Sequence, residues 1–358
     1  MRLLHITTSL QTGGAETLIV NLMPCFKALD YEVGVVVFNA ERTALMERLE
    51  KECPECKIYC FGHSYYNPWY IVKLIRIMCH YDIVHTHNSS PQLFAAIANI
   101  FCRKKLVTTE HNTNNRKREK GGIFRLVDKW MYRRYNDVIC ISEIAEQKLR
   151  DYLGDTDSQH ICTINNGVDV EMFHNAEPLP ELKTEKFVAV MVAGFRKQKD
   201  QDTLIKAMTF LPKEQYELWL VGDGVRREEL QNLAQELNLQ ENVKFLGLRT
   251  DVPNVLKSAD VVVMSSHWEG LSLSNVEGMS VGKPFVASDV NGLREVTKDY
   301  GILFPHGDEK ALAEIIMKLH DNKDYYKQVA DNCYERACQF DIKTMVEAYS
   351  NIYLSLKQ

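Results

Sequence analysis

The feature that most constrains the fold is an alternation of short β-branched apolar runs with segments of helical period, which occupies most of the 358 residues. In the first half the apolar runs cover 3–7, 33–38, 58–61, 83–87, 106–109, 138–141 and 161–164. Helical patterns separate them, for example at 16–29, 70–79 and 143–153. Strands that alternate with helices form parallel sheets covered on both faces, so this half predicts a doubly wound α/β domain.

The alternation breaks at a polar, proline-containing stretch around 177–180, which is typical of a linker, and then restarts. The later strand-like runs cover 187–193, 216–221, 243–245, 261–264, 285–287 and 301–304. We therefore expect an N-terminal domain over 1–175, completed by a C-terminal helix at 341–358, and a second doubly wound domain over 184–340. The crevice between two such Rossmann-like domains is the default ligand site.

Composition narrows the class of protein. The 43 Lys and Arg residues against 48 Asp and Glu give a net charge of −5, which argues against a general nucleic-acid binder. Apolar runs are about as long as strands, too short for a membrane span, and the chain opens on a strand pattern without a secretory signal. Many of the ten cysteines lie inside apolar runs, so we expect a reducing, cytoplasmic location.

Two segments between a strand and a helix carry ligand-binding chemistry. Gly13 and Gly14 follow the first strand, where glycine lets a backbone approach a phosphate, although a tight turn needs glycine as well. In the second segment Glu269 and Glu277 bracket small residues at the start of a helix. Loop amides suit phosphate and carboxylates suit sugar hydroxyls, while ordinary surface acids beside a capped helix remain the alternative.

Short motifs in a fixed order extend this picture over nearly the whole chain. They lie at 13–16, 82–87, 109–111, 141–142, 166–169, 198–200, 220–224, 245–247, 269–277, 282–284 and 292–296. With these motifs the chain resembles the retaining family-4 glycosyltransferases of GT-B fold. The resemblance implies a sugar transfer from a nucleotide-diphosphate sugar to an acceptor hydroxyl, without a metal or other cofactor, in bacterial surface polysaccharide or glycolipid synthesis.

The resemblance also assigns roles on the donor side. It implies that Glu277 holds the donor ribose, that Glu269 contacts the transferred sugar as a catalytic residue, and that Lys199 neutralises the diphosphate. Backbone amides that would hold the sugar or diphosphate belong to Leu271, Ser272 and Leu273.

In the N-terminal domain, the resemblance implies that Gly13 and Gly14 approach the phosphates. His111 would lie near the transferred sugar and the acceptor as the second catalytic residue, with a buried core histidine as the alternative. For His85 and His87 the structural interpretation is the stronger one.

One position departs from the family's pattern. An arginine usually precedes the lysine in the loop, and the alignment places Gly194 there. Arg196, two residues on, is the expected replacement in the diphosphate clamp. The departure also leaves open a catalytically silent nucleotide-sugar-binding protein, and a nucleotide-sugar epimerase of the same architecture is the other alternative.

Two metal-like patterns are weaker. Cys53, Cys56 and Cys60 have zinc-like spacing without a second ligand pair, and Asp155 and Asp157 form a D-x-D pattern in a polar stretch. We expect neither to hold a metal.

The segment 103–134 carries eleven basic residues against three acidic ones, with apolar and aromatic residues interleaved. A core-packed helix with a solvated basic face would explain it. The functional alternative is peripheral attachment to an anionic membrane, on the inner face of the plasma membrane, next to a glycan or lipid-linked acceptor.

Overall fold

The computed structural model describes residues 1–11, 13–111, 122–154, 160–269 and 273–357. The chain divides into unit 1, which comprises Met1–Gly167 and Ile342–Gln358, and unit 2, which is Val168–Asp341. Each unit contains one sheet, and all the strand pairings in both sheets are parallel. The doubly wound α/β expectation is therefore confirmed for both halves of the chain.

The sheet of unit 1 has seven strands in the order β3-β2-β1-β4-β5-β6-β7. They are β1 (Arg2–Thr7), β2 (Glu32–Asn39), β3 (Lys57–Gly62), β4 (Ile83–His87), β5 (Lys105–Glu110), β6 (Asp137–Cys140) and β7 (His160–Thr163). Its central strands β1 and β4 are buried almost throughout. Strands buried on both faces need mostly apolar side chains, so these strands are nearly continuous apolar runs in the sequence.

Helices cover both faces of this sheet. They are α1 (Gly14–Ala28), α2 (Ala44–Glu52), α3 (Trp69–Met78), α4 (Ser89–Cys102), α5 (Ile123–Tyr132) and α6 (Glu143–Leu153). The helix at the far end of the chain, Ile342–Lys357, belongs to the same core: Tyr349 and Tyr353 are fully buried together with Phe26 of α1.

The sheet of unit 2 has six strands in the order β10-β9-β8-β11-β12-β13. They are β8 (Phe187–Val192), β9 (Tyr216–Val221), β10 (Val243–Gly247), β11 (Val261–Met264), β12 (Phe285–Ser288) and β13 (Ile302–Phe304). The helices of unit 2 are α7 (Val170–His174), α8 (Gln201–Ala207), α9 (Arg227–Glu236), α10 (Val252–Ser258), α11 (Leu273–Ser280), α12 (Arg294–Thr297), α13 (Glu309–Asp321) and α14 (Lys323–Cys338). The last helix, α15 (Ile342–Lys357), belongs to unit 1 as described above.

The division between the units falls before the proline-containing stretch. The backbone N–H of Val168 donates to Phe340 O over 2.9 Å, and Val170 and Phe173 are buried in the core of unit 2. Residues 168–175, which the sequence pattern placed in the N-terminal domain, thus pack with unit 2. A short 3₁₀ turn at Pro180–Leu182 lies in the expected linker.

Each sheet has a point where the strand order reverses. In unit 1 this point lies between β1 and β4, and in unit 2 between β8 and β11. Loops that leave the carboxyl ends of the two strands diverge there and open a crevice, which is where doubly wound sheets bind ligands. Within the described residues, no helix is both long and apolar enough to cross a membrane.

Candidate active site

The loops after β8 and β11 meet at the reversal point of unit 2. The first carries Arg196 and Lys199, and the second carries Ser266 and Glu269. A backbone hydrogen bond connects the two loops: the N–H of His267 donates to the carbonyl of Gln198 over 2.8 Å. Two segments about seventy residues apart in the chain thus bring a basic and an acidic side chain to one place.

Glu269 is the centre of this contact. Lys199 Nζ lies 2.6 Å from Glu269 Oε1, and the side chains are only 18% and 6% exposed. Ser266 Oγ donates to the same oxygen over 2.6 Å, and Gln198 Nε2 donates to Oε2 over 3.4 Å. The carboxylate is thereby fixed in orientation, and the lysine charge is held at the strand ends.

Arg196 lies in the same loop with an exposed side chain. Its guanidinium makes no ion pair with any described residue, so this cation is available to a ligand. The loop is pressed against the one that follows β9: Gly222 has a φ of 135°, and a Cβ there would collide with the carbonyl oxygen of Ala193. A glycine at 222 therefore keeps the two loops close together.

Glu277 lies on α11, one turn beyond Leu273 at the helix start. Burial raises the pKa of its carboxyl from about 4.5 to about 7, and the carboxyl forms no salt bridge with a described residue. A buried carboxyl without a charged partner among the described residues can bind the hydroxyls of a ligand. Leu271 and Ser272, predicted to supply amides, lie outside the described residues.

A group that the sequence reasoning missed lies beside the ion pair. His267 Nδ1 is 2.5 Å from His306 Nε2 and 3.7 Å from Asp200 Oδ2. These three side chains are close enough to share a cation. Their signal in the sequence is weak, because each follows a different strand and only the fold unites them.

Gly13 and Gly14 lie at the start of α1, as expected, with Gly13 in an extended conformation at the N-cap. A side chain on Gly13 would meet only the carboxylate end of Glu16, a flexible side chain that can move aside, so space alone does not require glycine there. Burial raises the pKa of Glu16, and Asn88 donates a hydrogen bond to its carboxylate. The reversal point of unit 1 therefore joins the ends of β1 and β4.

His111 follows β5 at the same edge of the sheet. Together with Asn88, Thr109 and Glu110 it lines a cavity of about 60 Å³. Its ring is not isolated, because His111 Nε2 lies 2.9 Å from His87 Nδ1. The expectation that His111 is near a ligand site and the alternative of a hydrogen-bonded histidine are thus both consistent with its position.

His87 connects His111 with a histidine in the core. Its Nε2 lies 2.9 Å from His5 Nδ1, so that His5, His87 and His111 form a chain of ring–ring hydrogen bonds. Burial lowers the pKa of His5 to about 3 and that of His111 to about 4, and the pKa of His87 lies well below its usual value. All three imidazoles are therefore neutral at physiological pH.

His85 stands beside this chain rather than in it. Its Nδ1 lies 2.5 Å from the hydroxyl of Tyr353, and its Nε2 lies 2.8 Å from Thr109 Oγ1. His5, His85 and His87 are close enough to hold a metal ion, but these hydrogen bonds already use both nitrogens of His85. The three histidines are accounted for as a polar cluster that closes the unit 1 core around α15.

Two family models match consecutive parts of the chain. The model described as Glycosyltransferase Family 4 matches residues 12–172, and the model described as Glycosyl transferases group 1 matches residues 175–336. Between them they take in every described strand except β1. The chain belongs to the family-4, group 1 glycosyltransferases.

The names of two curated relatives of this glycosyltransferase describe sugar transfer to lipid-linked substrates. It is 28% identical over 300 residues to the UDP-Gal:alpha-D-GlcNAc-diphosphoundecaprenol alpha-1,3-galactosyltransferase of Escherichia coli, covering 77% of this chain and 76% of the relative. It is 25% identical over 352 residues to the N-acetylgalactosamine-N,N'-diacetylbacillosaminyl-diphospho-undecaprenol 4-alpha-N-acetylgalactosaminyltransferase of Campylobacter jejuni, covering 93% and 94%.

Solved structures show the fold of this glycosyltransferase. HepE of Anabaena in complex with UDP superimposes with a TM-score of 0.82 at 23% identity, over 99% of this chain and 100% of that one. The outer core galactosyltransferase WaaB gives a TM-score of 0.67 at 18% identity, over 99% of each chain. The expected GT-B fold is confirmed.

The basic segment of this glycosyltransferase includes α5, whose two ends differ. Ile123, Phe124 and Leu126 are 71%, 64% and 70% exposed, whereas Met131 and Tyr132 are buried in the core. The purely core-packed interpretation thus fits only the second half of the helix. Four of the basic residues, Arg116, Lys117, Arg118 and Lys120, lie outside the described residues.

Proposed function

We propose that this glycosyltransferase moves a sugar, with retention and without a metal, from a nucleotide-diphosphate sugar to a hydroxyl of a glycan or lipid-linked acceptor. The observation that carries the proposal is the Lys199–Glu269 ion pair of 2.6 Å at the reversal point of unit 2, with Arg196, which pairs with no described acid, in the same loop. The names of the galactosyltransferase relative and of the UDP complex support a nucleotide-sugar donor.

In this proposal the donor diphosphate binds to Lys199 and Arg196. Departure of the nucleoside diphosphate concentrates negative charge on its terminal phosphate, and fixed cations stabilise that charge. The lysine can turn from Glu269 to phosphate because both oxygens of that carboxylate keep other donors, Ser266 and Gln198. Glu269 is then free to accept hydrogen bonds from sugar hydroxyls.

Glu277 supplies the ribose contact. A buried carboxyl with a raised pKa gains most from a pair of hydroxyl donors, which favour its ionised form. Retention follows in our proposal from a front-face reaction, in which the leaving phosphate accepts the proton of the acceptor hydroxyl. No side chain is assigned as a covalent nucleophile.

The test begins with a panel of nucleotide sugars, followed by proton NMR of the released or transferred sugar. Retention predicts that the first-formed anomer has the configuration of the donor. Inversion would contradict the retaining mode, and epimerised donor with free nucleotide would support the epimerase alternative. Binding without any turnover, under conditions in which an acceptor is present, would support the silent binding protein.

We also propose that the first half of α5 and the basic segment around it attach the protein to an anionic membrane at its cytoplasmic face. Exposed Ile123, Phe124 and Leu126 beside eleven basic residues over 103–134 match the apolar and electrostatic parts of an interfacial helix. The lipid-linked diphosphoundecaprenol substrate in the name of the relative supports such a location.

A further inference from the structure

The histidine chain of unit 1, formed by His5, His87 and His111, contains one proton for which the described residues offer no acceptor. Each neutral imidazole carries one N–H, so His5, His87 and His111 carry three protons between them. The two ring–ring hydrogen bonds use one proton each. The third proton must lie at an end of the chain, on His5 Nε2 or on His111 Nδ1, and neither atom has a partner among the described residues.

The two ends are not equivalent. His5 is fully buried, and its ring packs against Phe26 and His85 with centroid distances of 5.8 Å and 4.9 Å. An unpaired N–H costs free energy there, and buried N–H groups without an acceptor are rarer in proteins than buried acceptors without a donor. His111 Nδ1 is buried as well, but His111 borders the 60 Å³ cavity, where an oxygen of a bound ligand can accept.

The direction of the whole chain follows from this difference. With the third proton on His111 Nδ1, His5 donates from Nδ1 to His87, and His87 donates from Nδ1 to His111 Nε2. Moving it to His5 Nε2 would require both other hydrogen bonds to reverse. The tautomer of the residue at the site is thus set by two residues that do not reach the site.

We propose that His5 and His87 are positioning residues that hold His111 as an Nδ1–H donor toward an oxygen of the bound donor sugar or acceptor. The inference rests on the proposed function only for the identity of that oxygen. The tautomer itself is a property of the free protein.

The first experiment is therefore independent of catalysis. Long-range ¹H–¹⁵N NMR of protein labelled in histidine, without ligand, should show a protonated Nδ1 and a bare Nε2 for His111. His87→Leu removes the donor and should shift His111 toward its Nε2–H form. His87→Asn places an amide N–H close to the lost Nδ1–H and should restore the wild-type pattern. An Nε2–H tautomer of His111 in the wild type would overturn the proposal.

Kinetics supply the second readout, once a donor has been found. His87→Leu should lower kcat about tenfold, the order of one hydrogen bond, with a smaller change in KM for the donor, and His87→Asn should recover most of the loss. His85→Leu is the matched control, because it removes a fully buried histidine outside the chain. Equal losses of kcat in His85→Leu and His87→Leu would overturn the proposal. Failure to find any donor would contradict the proposed function and leave the tautomer result standing.

Discussion

The two carboxylates of the 269–277 segment lie in different surroundings: Glu269 forms an ion pair, whereas the carboxyl of Glu277 is buried and forms no ion pair with a described residue. We expect Glu277→Ala mainly to weaken nucleotide binding, and Glu269→Ala to lower turnover more than nucleotide affinity. A hydrogen bond with a charged partner contributes about 1.5–3 kcal/mol, or roughly 10- to 150-fold. Calorimetric binding and steady-state rates separate the two effects. Glu236→Ala, an exposed change on α9, is the control, and full activity in both site variants would show that the site is misplaced.

The cations of the β8 loop can be tested in the same way. Lys199→Ala should raise the dissociation constant of the donor, because one of the charges that face the diphosphate is lost. Arg196→Ala should do so as well if this arginine replaces the one missing at Gly194. Lys197→Ala is the matched control, since Lys197 is an exposed lysine in the same 3₁₀ turn. An Arg196→Ala variant with unchanged affinity would exclude the replacement.

The raised pKa of Glu277 also predicts a pH dependence of stability. The folded protein holds this proton up to about pH 7, whereas an unfolded glutamate releases it near 4.5, so the folded state binds more protons in that window. The free energy of unfolding should therefore fall as pH rises from about 4.5 to 7. Glu277→Gln should remove this fall and be more stable than wild type at pH 8, by on the order of 3 kcal/mol. Denaturant unfolding at pH 4 and pH 8 measures the free energy of unfolding of both proteins. The same pH dependence in Glu277→Gln and wild type would contradict the prediction.

At the scale of elements, α5 gives a direct test of membrane attachment. Co-sedimentation with anionic liposomes should be strong at low salt and weaker at high salt, since each nearby basic residue contributes about 1 kcal/mol. Changing Ile123, Phe124 and Leu126 to Ser should reduce it, as should changing Arg116, Lys117, Arg118 and Lys120 to Ser.

The matched control changes three exposed apolar residues elsewhere, Ile144, Met172 and Phe210, to Ser. Equal binding by the control and by the α5 variant is expected only if the membrane contact lies outside this helix. Absence of binding by the wild type at low salt would leave a soluble acceptor.

The elements themselves were largely predictable, because a parallel strand buried on both faces needs a continuous apolar run. The pattern at 83–87 matches β4, and the pattern at 143–153 matches α6. The boundary near 175 was not predictable, since residues 168–175 look like a continuation of the first domain and only their burial shows the partner core.

The sequence singles out Lys199 and Glu269 separately, but it does not predict the contact between them. Nothing local in the sequence says that Lys199 pairs with Glu269, because the contact depends on two neighbouring strands ending at the same edge. The cluster of His5, His85 and His87 had a partial signal in the sequence, because His85 and His87 are two residues apart on one strand and must share a face. His5 joins them only through the register that places it opposite His85.

At the scale of the whole molecule, we predict that transfer activity survives an excess of chelator. The charge on the leaving group is balanced by Lys199 and Arg196 in our proposal, so no ion is needed. Complete loss with EDTA, reversed by manganese or magnesium, would contradict this. His306→Ala would then test the group of Asp200, His267 and His306, while Asp155 and Asp157 lie outside the described residues.

The assignment of α15 to unit 1 has a consequence for synthesis on the ribosome. Unit 2 is one continuous stretch, Val168–Asp341, whereas unit 1 is split around it. Tyr353, which bonds His85, and Tyr349, which bonds Thr109, are therefore translated only after the whole of unit 2. Unit 2 can complete its core during translation, but the nascent unit 1 must wait with an uncovered sheet face and with His85 lacking its Tyr353 partner. A ribosome stalled before residue 342 should consequently display a protease-resistant unit 2 and a protease-sensitive unit 1.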